Sequence, residues 1–324
     1  MQGKEASEQE TLKCTAGIDV GKSWLDAHVL PADQSLRVAN TRQGIAQLKR
    51  WLMRYKPTLV TVEATGKWHR LLCRSLHASG IAVSVAVPYR VRMFAKAQGL
   101  LAKTDRLDAR VLAQFAAVMA PPKHVPAPHI LEELQELATA RDSAVAEETA
   151  LKNQLAVAET AFLKRQLARR LLRLKADLKA LQAECRKRIE ADPGLAKRYE
   201  ILTSIPGIGP KIAITLIACM GELGSMNAKQ AAMLAGLAPV ANDSGQHHGA
   251  RIIRGGRAIV RKMLYLAAVS ASRCDPDLRA FYRRLADKKP VKVALVATAR
   301  KLLLLANTLV AAGRIWQPIA PNHA

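Results

Sequence analysis

"AGIDVGKS", residues 16–23, runs directly into "WLDAHVL", residues 24–30, and the reading of this stretch decides the fold of the amino-terminal third. Gly21-Lys22-Ser23 could end a nucleotide-binding loop. Such a loop needs several residues between a strand and a helix, so that backbone N–H groups wrap the phosphates. The context is different. Position 16 is Ala16, Gly17–Val20 reads as strand, and residues 23–30 alternate like a second strand. Two strands joined by a glycine turn are predicted, with Asp19 an acid inside an apolar strand. Alone, such an aspartate would be a turn residue bonding its own backbone.

Outward from this hairpin, strands are expected at Leu36–Ala39, Leu59–Ala64 and Ile81–Val87, and helices at Ile45–Tyr55, Trp68–Ala78 and Thr104–Val118. Three hairpin-like strands followed by alternating strand and helix make a mixed-sheet α/β domain over residues 11–120. A proline-rich connector, Pro121–Pro128, ends it, and no proline or glycine follows until Pro193. Residues 121–198 are therefore read as connector plus long helices. Leu167, Leu171, Leu174, Leu178, Leu181 and Cys185 keep a four-three spacing, the seam of a coiled coil. An antiparallel helical hairpin and a dimerising stalk both satisfy it. A third, mainly helical region, residues 199–315, opens on "SIPGIGPKIAITLIACMG", a tight turn between two short helices of helix-hairpin-helix type. A plain glycine-rich connector is the alternative.

Composition narrows the partners. The 324 residues carry 50 Lys and Arg against 26 Asp and Glu, a net charge of +24, while half of all residues are hydrophobic. A globular protein of this charge implies a polyanion, with nucleic acid ahead of a membrane surface. No stretch reads as long and apolar enough to span a bilayer, and residues 1–10 are not signal-like, so a cytoplasmic protein is expected. Five scattered cysteines without CxxC pairs fit reduced thiols.

Glu63 in "TLVTVEATGKW" mirrors Asp19, a single acid in an apolar strand that breaks at a glycine. A buried carboxylate costs several kcal/mol unless paired or metal-bound, so two such strands suggest two acids facing one site. Asp105 and Asp108 in "KTDRLDARVLAQF" share one helical face near its start, where first-turn acids also complement the helix dipole with Thr104 as cap. Together these acids are a donor set for hard divalent cations. Ser244 lies in a polar loop, Asn242–Gly245, followed by Arg251, Arg254, Arg257 and Arg261. Arginine forks match phosphate geometry, so this serine is a candidate nucleophile rather than only a turn residue. His247 and His248 read as solvated or phosphate-contacting.

"GIDVGK", "VEATG", "KTDRLDAR" and the closing "IPGIGPKIA … AGLAPV … DSG … GGRAIVRKMLY" together resemble the DEDD transposases of the insertion-sequence one-ten family, in order and over nearly the whole chain. The resemblance implies an RNase H-like (RuvC-like) amino-terminal domain whose four acids, Asp19, Glu63, Asp105 and Asp108, bind Mg2+. It also implies a carboxy-terminal transposase domain with Ser244 as nucleophile. Donor and target DNA, a structured noncoding bridge RNA and a homo-oligomer with composite active sites are the implied partners. Lys22, Lys103, Arg106, Lys211, Arg251, Arg254, Arg257 and Arg261 are the expected nucleic-acid contacts. A metal-dependent junction nuclease using water, and a noncatalytic architectural nucleic-acid binder, are the competing readings.

Overall fold

The computed structural model describes residues 13–64, 66–100, 105–241, 243–244, 247–249 and 251–318, with the side chains of 105–107, 243–244 and 247–248 set aside. The chain divides into two compact units between Pro126 and Ala127.

The first unit is built on a five-stranded sheet: β1 (Thr15–Val20), β2 (Trp24–Leu30), β3 (Gln34–Ala39), β4 (Leu59–Glu63) and β5 (Val83–Ala86). The order is β3-β2-β1-β4-β5. β1, β2 and β3 form an antiparallel meander, whereas β4 and β5 run parallel to β1. This is the mixed α/β sheet expected from the sequence. The Gly-Lys-Ser stretch is the β1–β2 turn, closed by the Gly21 amide donating to the Trp24 carbonyl at 2.9 Å. Alternation sorts β1 onto two faces. Ala16, Ile18 and Val20 join a core with Ile45, Leu48 and Leu52 of α1 (Arg42–Tyr55) and Leu72 and Leu76 of α2 (His69–His77). The opposite face, with Thr15 and Gly17, meets α4 (Asp105–Met119). A helix not expected from the sequence, α3 (Pro88–Ala97), starts on Pro88 and packs Val91 and Phe94 against Leu112 and Phe115 of α4.

The second unit begins with α5 (His129–Val157) and α6 (Ala161–Glu190). Only three residues join them, which makes the pair an antiparallel hairpin. Leu151 packs with Leu167, Leu171 and Leu174, and Glu147–Arg170 (3.7 Å) and Glu133–Arg188 (3.0 Å) bridge the two helices. The antiparallel helical hairpin, one of the two arrangements open from the sequence, is formed within the chain.

α7 (Pro193–Ser204) and α8 (Pro210–Cys219) flank the Ile205–Gly209 turn; α9 (Ala228–Leu234), α10 (Ala258–Cys274), α11 (Pro276–Ala286) and α12 (Val291–Ala312) complete a helical core. The expectation of no span-length apolar stretch fails at α12. An 18-residue window of this 22-residue helix has a mean hydropathy of 1.6, enough by length and composition to cross a membrane. The cause is its place in the core, where Ala299, Leu302, Leu303, Ala306 and Leu309 are buried. It also keeps a buried polar device. Asn307 accepts from the Gly224 amide and donates to the Met226 carbonyl, each at 2.8 Å.

Candidate active site

Asp19 lies on the α4 face of the sheet, two residues beyond Gly17. The parallel register pairs Gly17 with Thr61 and Ile18 with Val62, so Glu63, the last residue of β4, follows on the same face beside Asp19. A Cβ at Gly17 would stand 2.2 Å from the Ala109 carbonyl oxygen, and Thr15 Oγ1 donates to the Ala113 carbonyl at 2.9 Å. As β1 rises from Thr15 to Asp19, α4 therefore descends from Ala113 past Ala109 to its own start. Asp108 precedes Ala109, and Asp105 begins the helix about one turn, ~5 Å, earlier. The strand ends bearing Asp19 and Glu63 and the helix start bearing Asp105 and Asp108 thus occupy one end of the sheet.

Asp19, Glu63 and Asp108 are each half-buried. The backbones of Asp105 and Arg106 open α4, while Lys103 and Thr104 lie outside the described residues. Among the described residues no trio of acidic, histidine or cysteine side chains is gathered closely enough to hold a metal; the Asp105 side chain is not among them. The donor set itself, carboxylate oxygens on rigid elements, is that of a hard divalent cation.

Sequence reasoning missed a fifth acid. Asp26 is the register partner of Asp19 across the β1–β2 hairpin and shares its face, with Arg37 Nε 3.7 Å from its carboxylate. An acid is ordinary in an alternating strand, and only the register shows what Asp26 opposes.

Two tryptophans also went unnoticed. Trp24 and Trp68 are 49% and 45% exposed, with Arg37 over the first ring at 5.4 Å and Lys22 over the second at 5.9 Å. Asn40 Nδ2 donates to the Gly21 and Trp68 carbonyls at 2.9 and 3.3 Å, tying the β1–β2 turn to the approach of α2. Lys22 is exposed on that turn. Large exposed aromatic faces beside cations can stack bases and meet phosphates.

In the second unit Ser244 sits in a ribbon rather than an irregular loop. β6 (Pro239–Val240) pairs with β9 (Ile252–Ile253), and β7 (Asp243–Ser244) with β8 (His247–His248), all antiparallel. The register sets His247 opposite Ser244. Asn242, Gly245 and Gln246 lie outside the described residues.

The root of the ribbon is closely built. A Cβ on Gly256 would meet the Gly236 amide nitrogen at 2.2 Å, so the two chain segments entering and leaving the ribbon cross backbone to backbone. Arg257 makes a bidentate pair with Glu222, both bonds 2.7 Å, and donates to the Cys219 carbonyl at 2.8 Å. Its guanidinium holds the Glu222 carboxyl below the usual glutamate range, aided by the charge of Arg198. Arg261 donates to the Gly255 carbonyl at 2.7 Å. Arg257 and Arg261 are thus bonded to the ribbon's root, while Arg251 and Arg254 are exposed on it and Lys211 is exposed at the start of α8.

Residues 16–184 match the family profile of DEDD transposases of the IS110 group, and residues 199–283 that described as "Transposase IS116/IS110/IS902 family". The pilin gene-inverting protein of Moraxella bovis is 28% identical over 314 residues, covering 93% of this chain and 97% of that protein. An insertion element IS110 protein of Streptomyces coelicolor is 30% identical over 48% of this chain and 38% of its own length. The Thermus thermophilus RuvC structure covers 35% of the chain and 99% of its own, at 19% identity and a TM-score of 0.28. With one profile spanning the sheet domain and the helical hairpin, and the second the ribbon and its root, the chain belongs to the IS116/IS110/IS902 family of transposases.

Proposed function

We propose that this transposase is a DNA recombinase in which Ser244 attacks a phosphodiester, assisted by a carboxylate site of Asp19, Glu63, Asp105 and Asp108. The observation that carries the reading is the convergence of strand ends and helix start at one end of the sheet, in a chain that also bears a serine ribbon. The serine Oγ–phosphorus bond forms as the bond from phosphorus to the leaving sugar oxygen breaks. The hydroxyl proton is lost from Ser244 and the leaving oxygen gains one. Attack by the hydroxyl of the exchanged strand reverses the step, so bond energy is conserved and no nucleotide cofactor is required. Magnesium held by the four carboxylates would supply Lewis-acid polarisation of a phosphoryl oxygen. The acids orient the reacting phosphate on rigid elements, and the glycine-crossed root holds the serine ribbon.

Lys22, Lys103, Arg106, Lys211, Arg251 and Arg254 meet phosphates, and Arg257 and Arg261 support the same surface from the ribbon's root. The net charge of +24 suits a protein that also carries an RNA. A bridge RNA pairing with donor and target DNA would leave sequence choice to base pairing. The protein acts as a homo-oligomer in the cytoplasm. The extent of similarity to the pilin gene-inverting protein supports DNA strand exchange as the outcome.

The test is incubation with the flanking RNA, end-labelled donor DNA and magnesium, followed by a denaturing gel. A covalent protein–DNA adduct is expected, absent in Ser244→Ala and in Asp19→Asn. Strand cleavage that persists undiminished in Ser244→Ala would instead establish hydrolysis by water.

A further inference from the structure

We propose that a cavity of about 750 Å³ in the second unit, with no described residue of the serine ribbon in its lining, is a phosphate-binding pocket for the DNA backbone, with Arg141 as its buried anchor. The cavity is lined by α5, by α6, by the α7–α8 turn and by α10, through Arg141, Lys175, Lys179, Lys211 and Lys262 among others.

Arg141 is only 7% exposed, yet among the described residues it makes no hydrogen bond or ion pair. Guanidinium stays charged at every physiological pH, and a buried charge without a partner is costly. Cys185 on α6, near enough for the Arg141 charge to act on it, is no counter-ion: burial pushes its thiol up and favours the neutral form. The two carboxylates on the cavity wall are already engaged. Asp142 holds Lys262 at 2.6 Å, and Glu148 holds Lys152 at 2.8 Å. Arg141, Lys175, Lys179, Lys211 and Lys262 thus line a space with only two carboxylates, Asp142 and Glu148, each already bonded to a lysine, and five cations against two anions leave an excess of positive charge.

The helix start points to the same ligand. Gly209 caps α8 without a side-chain bond, Pro210 has no N–H, and the Ile212 and Ala213 amides both donate to the Gly209 carbonyl at 3.0 Å, so the Lys211 amide is the donor of the first turn left for an acceptor at the cavity wall. A backbone amide, a fork-shaped guanidinium and flexible ammonium groups together match a phosphodiester and read no base. Assignment of the strand as DNA rests on the recombinase reading above, while the anion site itself does not.

Binding is measured by fluorescence anisotropy on the full chain without magnesium and in the Ser244→Ala background, so failure of the covalent chemistry leaves this test intact. Arg141→Met is expected to weaken binding of a labelled DNA duplex about tenfold and to reduce the salt dependence by roughly one phosphate contact. Lys211→Ala, on the exposed rim, should act in the same direction and more weakly. Inorganic pyrophosphate should raise the melting temperature of the parent and not that of Arg141→Met. Ligand-free Arg141→Met should melt no lower than the parent, because methionine removes an uncompensated buried charge. A lower melting temperature with unchanged affinity would make Arg141 a structural residue and overturn the inference. So would weakened binding to a labelled RNA hairpin with DNA binding unaffected. If Arg141→Met does not fold, Lys211→Ala and Lys175→Ala decide it: unchanged affinity in both overturns the pocket.

Discussion

At Gly17 a hydrogen in place of a methyl lets α4 lie against β1 backbone to backbone. The Ala109 carbonyl, the Ala113 amide and Leu112 Cβ all stand within 2.6 Å of where a Cβ would be. None is the movable tip of a side chain, so Gly17→Ala has to lift the helix. The expected loss is about 1–3 kcal/mol, the ordinary range for overpacking. Because α4 delivers Asp105 and Asp108, catalysis should fall further than stability alone accounts for. Comparison of urea midpoints with adduct yield, under conditions where the variant remains folded, checks this. Equal losses would remove Gly17 from any role in placing the acids. Asp19 and Glu63 were legible in the sequence because an acid in a β-branched, apolar strand is costly and so conspicuous. Asp26 was not. It sits in an alternating strand where an acid is ordinary, and its significance comes from facing Asp19 across the hairpin.

Among the elements, the long ones could be read and the short ones could not. Strands β1 and β2 announce themselves by alternation on both sides of a glycine turn, and α6 by its leucine seam. The two-residue strands β6–β9 are too short to show any period, so the segment reads as polar loop although its pairing is regular. Arginines in that segment looked like phosphate ligands for the same reason, since the carboxylate partner of Arg257 lies 35 residues away at Glu222. That pair makes a pH prediction. Its depressed folded-state pKa means that the pair's contribution is full above pH 4.5, the ordinary glutamate value, and is lost as pH falls through the lower folded value. Glu222→Gln should therefore cost roughly 1–2 kcal/mol at pH 7, discounted for the half-exposed setting. The difference in melting temperature from the parent should shrink progressively below pH 4.5. A gap that is constant down to acid unfolding would show that packing, and not the charge pair, holds the ribbon's root.

Across the whole molecule, charge was legible from composition and the order of motifs from spacing, while the placing of acids and serine in separate domains came only as an implication of the family resemblance. The carboxylates belong to the unit before Pro126 and Ser244 to the unit after it. Each group is fixed by its own local scaffold: Asp19, Glu63 and Asp108 by the sheet and α4, Ser244 by the glycine crossing and the Arg257 fork. The described residues named for each scaffold lie in that group's own unit, as a protomer that donates its acids to one site and its serine to another would require. If the active site is composite across subunits, Asp19→Asn and Ser244→Ala, each inactive alone, should complement when mixed. A mixed dimer then contains one site with both groups intact and one with neither. Random exchange at equal amounts would restore roughly a quarter of the parent adduct yield by two-fold symmetry. The adduct should form only on the subunit that keeps Ser244, which a size tag on the Asp19→Asn protein would reveal on the gel. Absence of restored adduct, after exchange of subunits is verified by co-purification through the tag, would place acids and serine of a working site on the same chain.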